Sequence, residues 1–331
     1  MIKSLVTGGA GFIGSHLVEK LVKEGHQVTV VDNLSIGRIE NLNSVFRKIK
    51  FVQKDITKKS DIEKFFKGID NVFHLAALAD IVPSIELPEK YFHSNVTGTL
   101  NILECSKKFN IKRFIYSASS SCYGIPDEFP TPEHHKINPE YPYALTKRLG
   151  EELVLHYSKV YNLNATSLRF FNVYGPRART GGTYGAMFGV FLAQKFANKP
   201  FTVVGSGRQK RDFTYVSDVI DAILEVFKHS DLKGACLNVG SGKTVSVNSI
   251  IKLIGGSKIK IPKRPGEPNM TFANILKIKK LTNWCPKVDI ETGIELLKKD
   301  KKNWKKAPVW TPRKIKKATK KWFYYLGKNK K

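Results

Sequence analysis

A doubly wound α/β fold, with helices on both faces of a parallel sheet and a smaller intertwined α/β lobe, is what this sequence predicts. Short β-branched runs that end abruptly alternate with helical stretches over roughly the first half of the chain. A cluster of glycines lies where the first such run meets the first helical stretch. Past about residue 175 the rhythm loosens, with GPRARTGGTYG, VVGSGRQ and KRPGEP supplying the glycines and prolines of irregular connections.

Residues 2–7 (IKSLVT) and 27–32 (QVTVVD) have the composition of buried parallel strands. Between them, Ile13, Leu17, Leu21 and Val22 recur at helical spacing across 12–24. Further strands are expected at 49–53, 71–75, 111–117 and 164–169, separated by helices at 59–67, 89–109 and 142–160. This organisation predicts a first domain over 1–175 with a later contribution from about 212–242. A second lobe would span 176–297, and a lysine-rich, helical tail 298–331.

The totals narrow the class. The chain is 41% hydrophobic and 25% charged, the balance of a soluble globular protein. No apolar run approaches the roughly 18–20 residues needed to cross a bilayer. Glycines interrupt the N-terminus before a signal-peptide core develops. Cys105, Cys122, Cys236 and Cys285 form no CxxC pair, which argues against a metal site or disulfide scaffold and suits the cytoplasm. The net charge is +28, and residues 298–331 hold fifteen Lys or Arg against the single Asp300, or +14. Attraction to nucleic acid is one reading of that tail. The reading favoured here is a solvated helix, with Ile315, Ala318, Trp322, Phe323 and Leu326 available as a docking face.

The first strand runs into TGGAGFIGSHL, in which Gly8, Gly9, Gly11 and Gly14 satisfy both GxGxxG and GxxGxxG. A strand entering a helix through such a turn aims backbone N–H groups and the helix's positive end at one spot. The missing side chains let a pyrophosphate approach. Asp32 closes the next strand eighteen positions past Gly14. Its carboxylate would accept hydrogen bonds from ribose hydroxyls and repel a 2′-phosphate, so the Rossmann-like unit is expected to take NAD rather than NADP. At 141–147 the chain reads YPYALTK. If this stretch is helical, Tyr143 and Lys147 share a face, and a nearby cation favours the phenolate.

These pieces, in order, resemble the extended short-chain dehydrogenase/reductase family, specifically nucleotide-sugar 4-epimerases of the UDP-glucose epimerase type. The matching stretches are TGGAGFIGSH, VVDN at 30–33, KDI at 54–56, HLAA at 74–77, NVTGTLNILE at 95–104 and SASSSCYG at 117–124. They continue with YALTK at 143–147, RFFNVYGPR at 169–177, RDFTYVSDV at 211–219, NVGSG at 238–242 and RPGEP at 264–268, so that the likeness covers residues 1 to about 290.

The resemblance implies a mechanism and a residue set. Tyr143 would take the proton from the sugar's 4-hydroxyl, and Lys147 would hold the nicotinamide ribose and lower the phenol's pKa. Ser119, with Ser120 and Ser121 as alternatives, would supply a third hydrogen bond. Hydride would pass from C4 to the nicotinamide and return to the opposite face of a rotated 4-keto sugar. The implied cofactor set is Gly8, Gly11, Phe12, Ile13, Gly14, Asp32, Asn33, Asp55, Ile56, Leu75, Ala76, Ala77, Asn95 and Phe170, with Tyr143 and Lys147. The implied substrate set is Ser119, Ser120, Tyr143, Asn172, Arg211, Arg264 and Thr271, the two arginines meeting the diphosphate.

Related dehydratases carry an Asp–Glu pair, and decarboxylases a Glu, after the catalytic Ser or Thr. Here Ser120 and Ser121 occupy those positions, which favours epimerisation. A bulky Tyr at the position of Thr271 restricts related epimerases to plain hexoses, so Thr271 admits N-acetylhexosamine or uronic acid forms as well. Asn274 stands where relatives often have Asp, and 177–189 is an unusual lid segment. Family members dimerise through two helices, here 89–109 and 142–160, so a homodimer is expected. A non-catalytic NAD sensor or nucleic-acid-associated protein is the alternative from another class.

Overall fold

The computed structural model describes residues 1–179 and 187–327. Of the expected lid at 177–189, residues 180–186 therefore lie outside the described residues. Six strands arise in the first half of the chain: β1 (Lys3–Thr7), β2 (Gln27–Asp32), β3 (Ile49–Gln53), β4 (Asn71–His74), β5 (Arg113–Ser119) and β6 (Ala165–Phe170). With Cys236–Val239 they form one seven-stranded parallel sheet, ordered β3-β2-β1-β4-β5-β6 and then Cys236–Val239. β1 pairs with β2 on one side and β4 on the other, so the winding reverses beside it. In open sheets of this kind the crevice at the carboxyl ends next to that reversal takes the ligand.

Both faces of the sheet are covered, which is why its strands read as nearly continuous apolar runs. Helix α1 (Phe12–Lys23) buries Leu17, Val18 and Leu21. Its core continues through Ile220, Ile223 and Leu224 of helix Val216–Lys228 to Phe191, Val203 and Ile250 of the smaller lobe. The opposite face packs Ile102 and Leu103 of helix Gly98–Lys108, and Val154 of helix Pro142–Val160, against Val72 and Phe114. In the smaller lobe Phe201–Val204 pairs in parallel with Lys258–Ile261.

Four elements differ from expectation. The helix expected at 59–67 is one α turn (Lys59–Ile62) followed by a 3-10 turn (Glu63–Phe66). The helix expected at 89–109 is interrupted by a π turn, His93–Thr97. β5 starts and ends two residues later than 111–117, which carries the strand to Ser119. The tail is a set of short helices, Lys301–Lys306, Pro312–Ala318 and Lys320–Gly327, rather than one continuous helix. Pro308 and Pro312 cannot continue a helix hydrogen-bond ladder. Trp304, Ile315 and Trp322 are buried, whereas Phe323 stays exposed.

Candidate active site

The turn after β1 is shaped by its glycines. Gly8 has φ +71°, and a Cβ there would lie 2.7 Å from the Ala76 backbone nitrogen. A Cβ on Gly14 would lie 2.1 Å from the Gly8 carbonyl oxygen. No other residue type fits either position without moving backbone. The Gly11 amide donates to the Gly8 carbonyl at 3.0 Å and tightens the loop. Gly11 then caps α1 with no side-chain hydrogen bond and no acid in the first turn. The first helical N–H groups thus face the cleft with the dipole's positive end, an arrangement suited to a phosphate.

At the end of β2 the buried Asp32 carboxylate accepts from Ala10 N at 3.0 Å and Leu34 N at 2.8 Å. Burial pushes its pKa up, and these two donors oppose the shift. A Cβ on Gly37 would lie 2.8 Å from Asp32 Oδ1, so the glycine keeps the carboxylate open to the cleft. Asn33 Nδ2 donates to Asp55 Oδ2 at 2.9 Å, joining the ends of β2 and β3. Asp55 Oδ1 accepts from Thr57 N at 2.9 Å and Thr57 Oγ1 at 2.8 Å.

Ser119, the last residue of β5, lines one cleft together with Tyr143 and Lys147. Helix Pro142–Val160 begins with Pro142, whose fixed φ suits a first helical residue, and places Tyr143 and Lys147 one turn apart. Of the three serines, Ser119 is the one whose hydroxyl acts on the Tyr143 phenol, favouring its ionised form. Its Oγ lies 2.8 Å from Ser121 Oγ and accepts from Ser121 N at 3.2 Å, which holds its rotamer. Lys147 is 4% exposed, with Nζ 4.4 Å from the Tyr116 ring centroid. Burial pulls the Lys147 amine down to about 7, and the Glu151 carboxylate opposes that fall.

In the chain alone the Tyr143 phenol is raised above its ordinary value, chiefly by burial, with the Ser119 hydrogen bond working against it. The lowering implied by the resemblance is therefore not a property of the chain by itself, because desolvation of the phenolate outweighs the polar contacts.

On the far side of the cleft, Asn172 Nδ2 donates to Thr271 Oγ1 at 2.8 Å and to the Asp212 carbonyl at 3.1 Å. Arg211 Nη2 lies 3.1 Å from Glu267 Oε1, and Arg264 Nε lies 3.5 Å from Glu267 Oε2. The two guanidinium groups are thus drawn together around one carboxylate of the RPGEP turn. Arg179 pairs with Asp80 across the mouth.

The expected site residues, Asn95 excepted, line one cleft of about 660 Å³, within the usual range for a ligand pocket. Asn95 lies behind that lining. It is 1% exposed, its Oδ1 accepts from Leu78 N at 2.8 Å, and its Nδ2 donates to Leu78 O and Thr146 Oγ1, both at 3.0 Å. Its amide is consumed in bracing the post-β4 loop against the Tyr143 helix, so it shapes the wall without facing the cleft. Sequence reasoning missed Tyr141, Glu267, Trp310 and Trp322, which also line the cleft. The tail's apolar spacing announced that Trp322 docks, but carried no information on where.

A glycine cradle at a helix N-terminus, an acid closing the next strand and a Ser–Tyr–Lys set on the sheet's carboxyl edge define a dinucleotide-dependent enzyme of the short-chain dehydrogenase/reductase type. Residues 4–240 match the model of the NAD dependent epimerase/dehydratase family, and the chain belongs to that family. It is 36% identical to the UDP-glucuronate 4-epimerase of Thermodesulfobacterium geofontis over 92% of this chain and 96% of that one. The crystal structure of UDP-glucose 4-epimerase with UDP-glucose from Thermotoga maritima is similar, with a TM-score of 0.86 and 35% identity over 91% of this chain and 99% of that one. So is UDP-glucuronic acid 4-epimerase from Bacillus cereus in complex with UDP-glucuronic acid and NAD, with a TM-score of 0.85 and 31% identity over 91% and 99%.

Proposed function

We propose that the protein is an isomerase that inverts C4 of a nucleotide-diphosphate sugar, UDP-glucose/UDP-galactose or an N-acetyl or uronic acid form, with NAD as resident cofactor. The observation that carries this reading is that Ser119, Tyr143 and Lys147 line one cleft with the glycine cradle, with Ser120 and Ser121 where an eliminating enzyme needs acids.

The residues present fit NAD. The cradle that a Cβ would fill at Gly8 and Gly14 leaves room for a pyrophosphate, and Asp32 offers a carboxylate toward the adenosine ribose. Bound there, NAD supplies the hydride acceptor that no side chain can provide. Tyr143 removes the 4-hydroxyl proton while Ser119 hydrogen-bonds the same region and fixes the phenol. Lys147, buried beside Tyr116, would hold the nicotinamide ribose, and its charge would favour the phenolate. Arg211 and Arg264 take the diphosphate, leaving the sugar free to turn between its two faces.

Support for a UDP-linked substrate comes from the UDP-sugar 4-epimerases among the relatives. Incubation with a panel of UDP-, dTDP- and GDP-sugars, followed by NMR of the products, tests it. Inversion at C4 with no net change in NAD is expected, whereas loss of water or carbon dioxide would replace epimerisation by one of its rivals. Phe92, Leu100 and Leu145 are exposed on the two helices expected to pair, which supports a homodimer, and light scattering during gel filtration measures it. The four unpaired cysteines agree with a cytoplasmic setting.

A further inference from the structure

The lysine-rich C-terminal segment brings Trp310 and Trp322 to the lining of the cleft. Helix Lys320–Gly327 packs against helix Ile81–Glu86 of the sheet lobe, so it reaches across the mouth. Trp322 is 2% exposed, and its Nε1 donates to the Pro265 carbonyl at 2.8 Å. The Arg264 guanidinium carbon lies 5.4 Å from the Trp322 ring centroid. The indole also meets Tyr141, with centroids 6.5 Å apart. Tyr141 in turn lies almost parallel to Tyr143, at 9° and 6.4 Å. One indole therefore touches both the turn that carries an expected phosphate arginine and the ring next to the proposed base.

Arg264 sits in a turn outside any helix or strand. A long side chain there loses rotamer freedom when it grips an anion, and a ring face that already holds it removes part of that loss. Glu267 also faces Arg264, at 3.5 Å, and the aromatic face adds to that hold without neutralising the charge further.

We propose that Trp322 is a positioning residue for substrate binding: its ring face and N–H hold Arg264 and the Pro265 turn in the shape that receives a nucleotide diphosphate. The C-terminal segment is then a built-in wall of the site rather than an appendage. This rests on the reading that the cleft takes a nucleotide sugar.

Titration calorimetry with UDP and with NAD, and steady-state kinetics, on the full chain and its Trp322→Leu and Trp322→Phe variants test it. Leu keeps apolar volume but has neither ring face nor N–H, and Phe restores the face. Trp322→Leu is expected to bind UDP about tenfold more weakly and to raise KM for the sugar nucleotide equally. Its kcat should stay within about twofold and its NAD affinity should not change, while Trp322→Phe recovers most of the loss. The proposal is overturned if Trp322→Leu binds UDP like the wild type, if UDP and NAD affinities fall together, or if Phe is no better than Leu. A wild-type chain that binds no UDP overturns both this proposal and the reading of the cleft. Wild-type binding with an unaffected Leu variant removes only the role of Trp322.

Discussion

Asn172 and Thr271, ninety-nine residues apart, are joined by a 2.8 Å hydrogen bond from the amide nitrogen to the hydroxyl at the cleft wall. Asn172 holds a φ of +28°, a conformation Asn tolerates better than most residues, so a strained backbone and a side-chain bond act together to set this wall. Thr271→Tyr would break the bond and fill the space. The expected outcome is a drop of at least about tenfold in kcat/KM for an N-acetylhexosamine substrate relative to UDP-glucose, the scale set by steric exclusion in a pocket. Paired kinetics with the two sugars measure it, and equal losses on both would refute a size filter.

Tyr143→Phe removes the only atom able to take the 4-hydroxyl proton in this scheme while keeping the ring stacked near Tyr141. Turnover should fall by about a hundredfold to ten-thousandfold, with NAD affinity and melting temperature nearly unchanged. Retained activity would assign the proton transfer elsewhere.

Lys147 makes stability depend on pH with a definite sign. Its amine titrates at about 7 in the folded chain and near 10.5 when unfolded. Between these values the unfolded chain binds the extra proton, so the stability contributed by this site rises with pH across that window. Below pH 7 both states are protonated and the penalty is complete. Lys147→Met should therefore raise the melting temperature most at pH 7 and below, with the advantage shrinking toward pH 10. Scanning fluorimetry across pH 6 to 10 tests this, and a constant difference would count against it.

Glu151 and Arg169 form the best-satisfied buried ion pair near the site. Arg169 Nη2 lies 2.7 Å from Glu151 Oε1, and the carboxylate also accepts from Ser167 Oγ at 2.9 Å. Arg169 Nη1 reaches the Tyr123 hydroxyl at 2.7 Å. Glu151→Ala leaves a guanidinium buried without its counter-charge, so a loss of about 3–5 kcal/mol in urea unfolding is expected. Glu151→Gln, which keeps the acceptor oxygen, should lose less.

Local patterns determined much of this protein. The glycine spacing, Asp32, and the four-residue step from Tyr143 to Lys147 each depend on a periodicity or a turn that neighbouring residues alone impose; the first two led to the NAD fold, and the third, with the family resemblance, to the proposed proton-transfer pair. What required the tertiary structure was every relationship between distant segments. Asn95 reads as a cofactor contact, yet its amide is spent on Leu78 and Thr146, partners that only folding brings within reach. The tail reads as one basic helix with an apolar docking face, yet two prolines break it, and only folding shows that Trp322 of that face meets Pro265, fifty-seven residues back along the chain. Hydrophobic spacing states that a face must be buried but is silent about its partner, because burial is non-directional and the partner is chosen by packing across the whole chain.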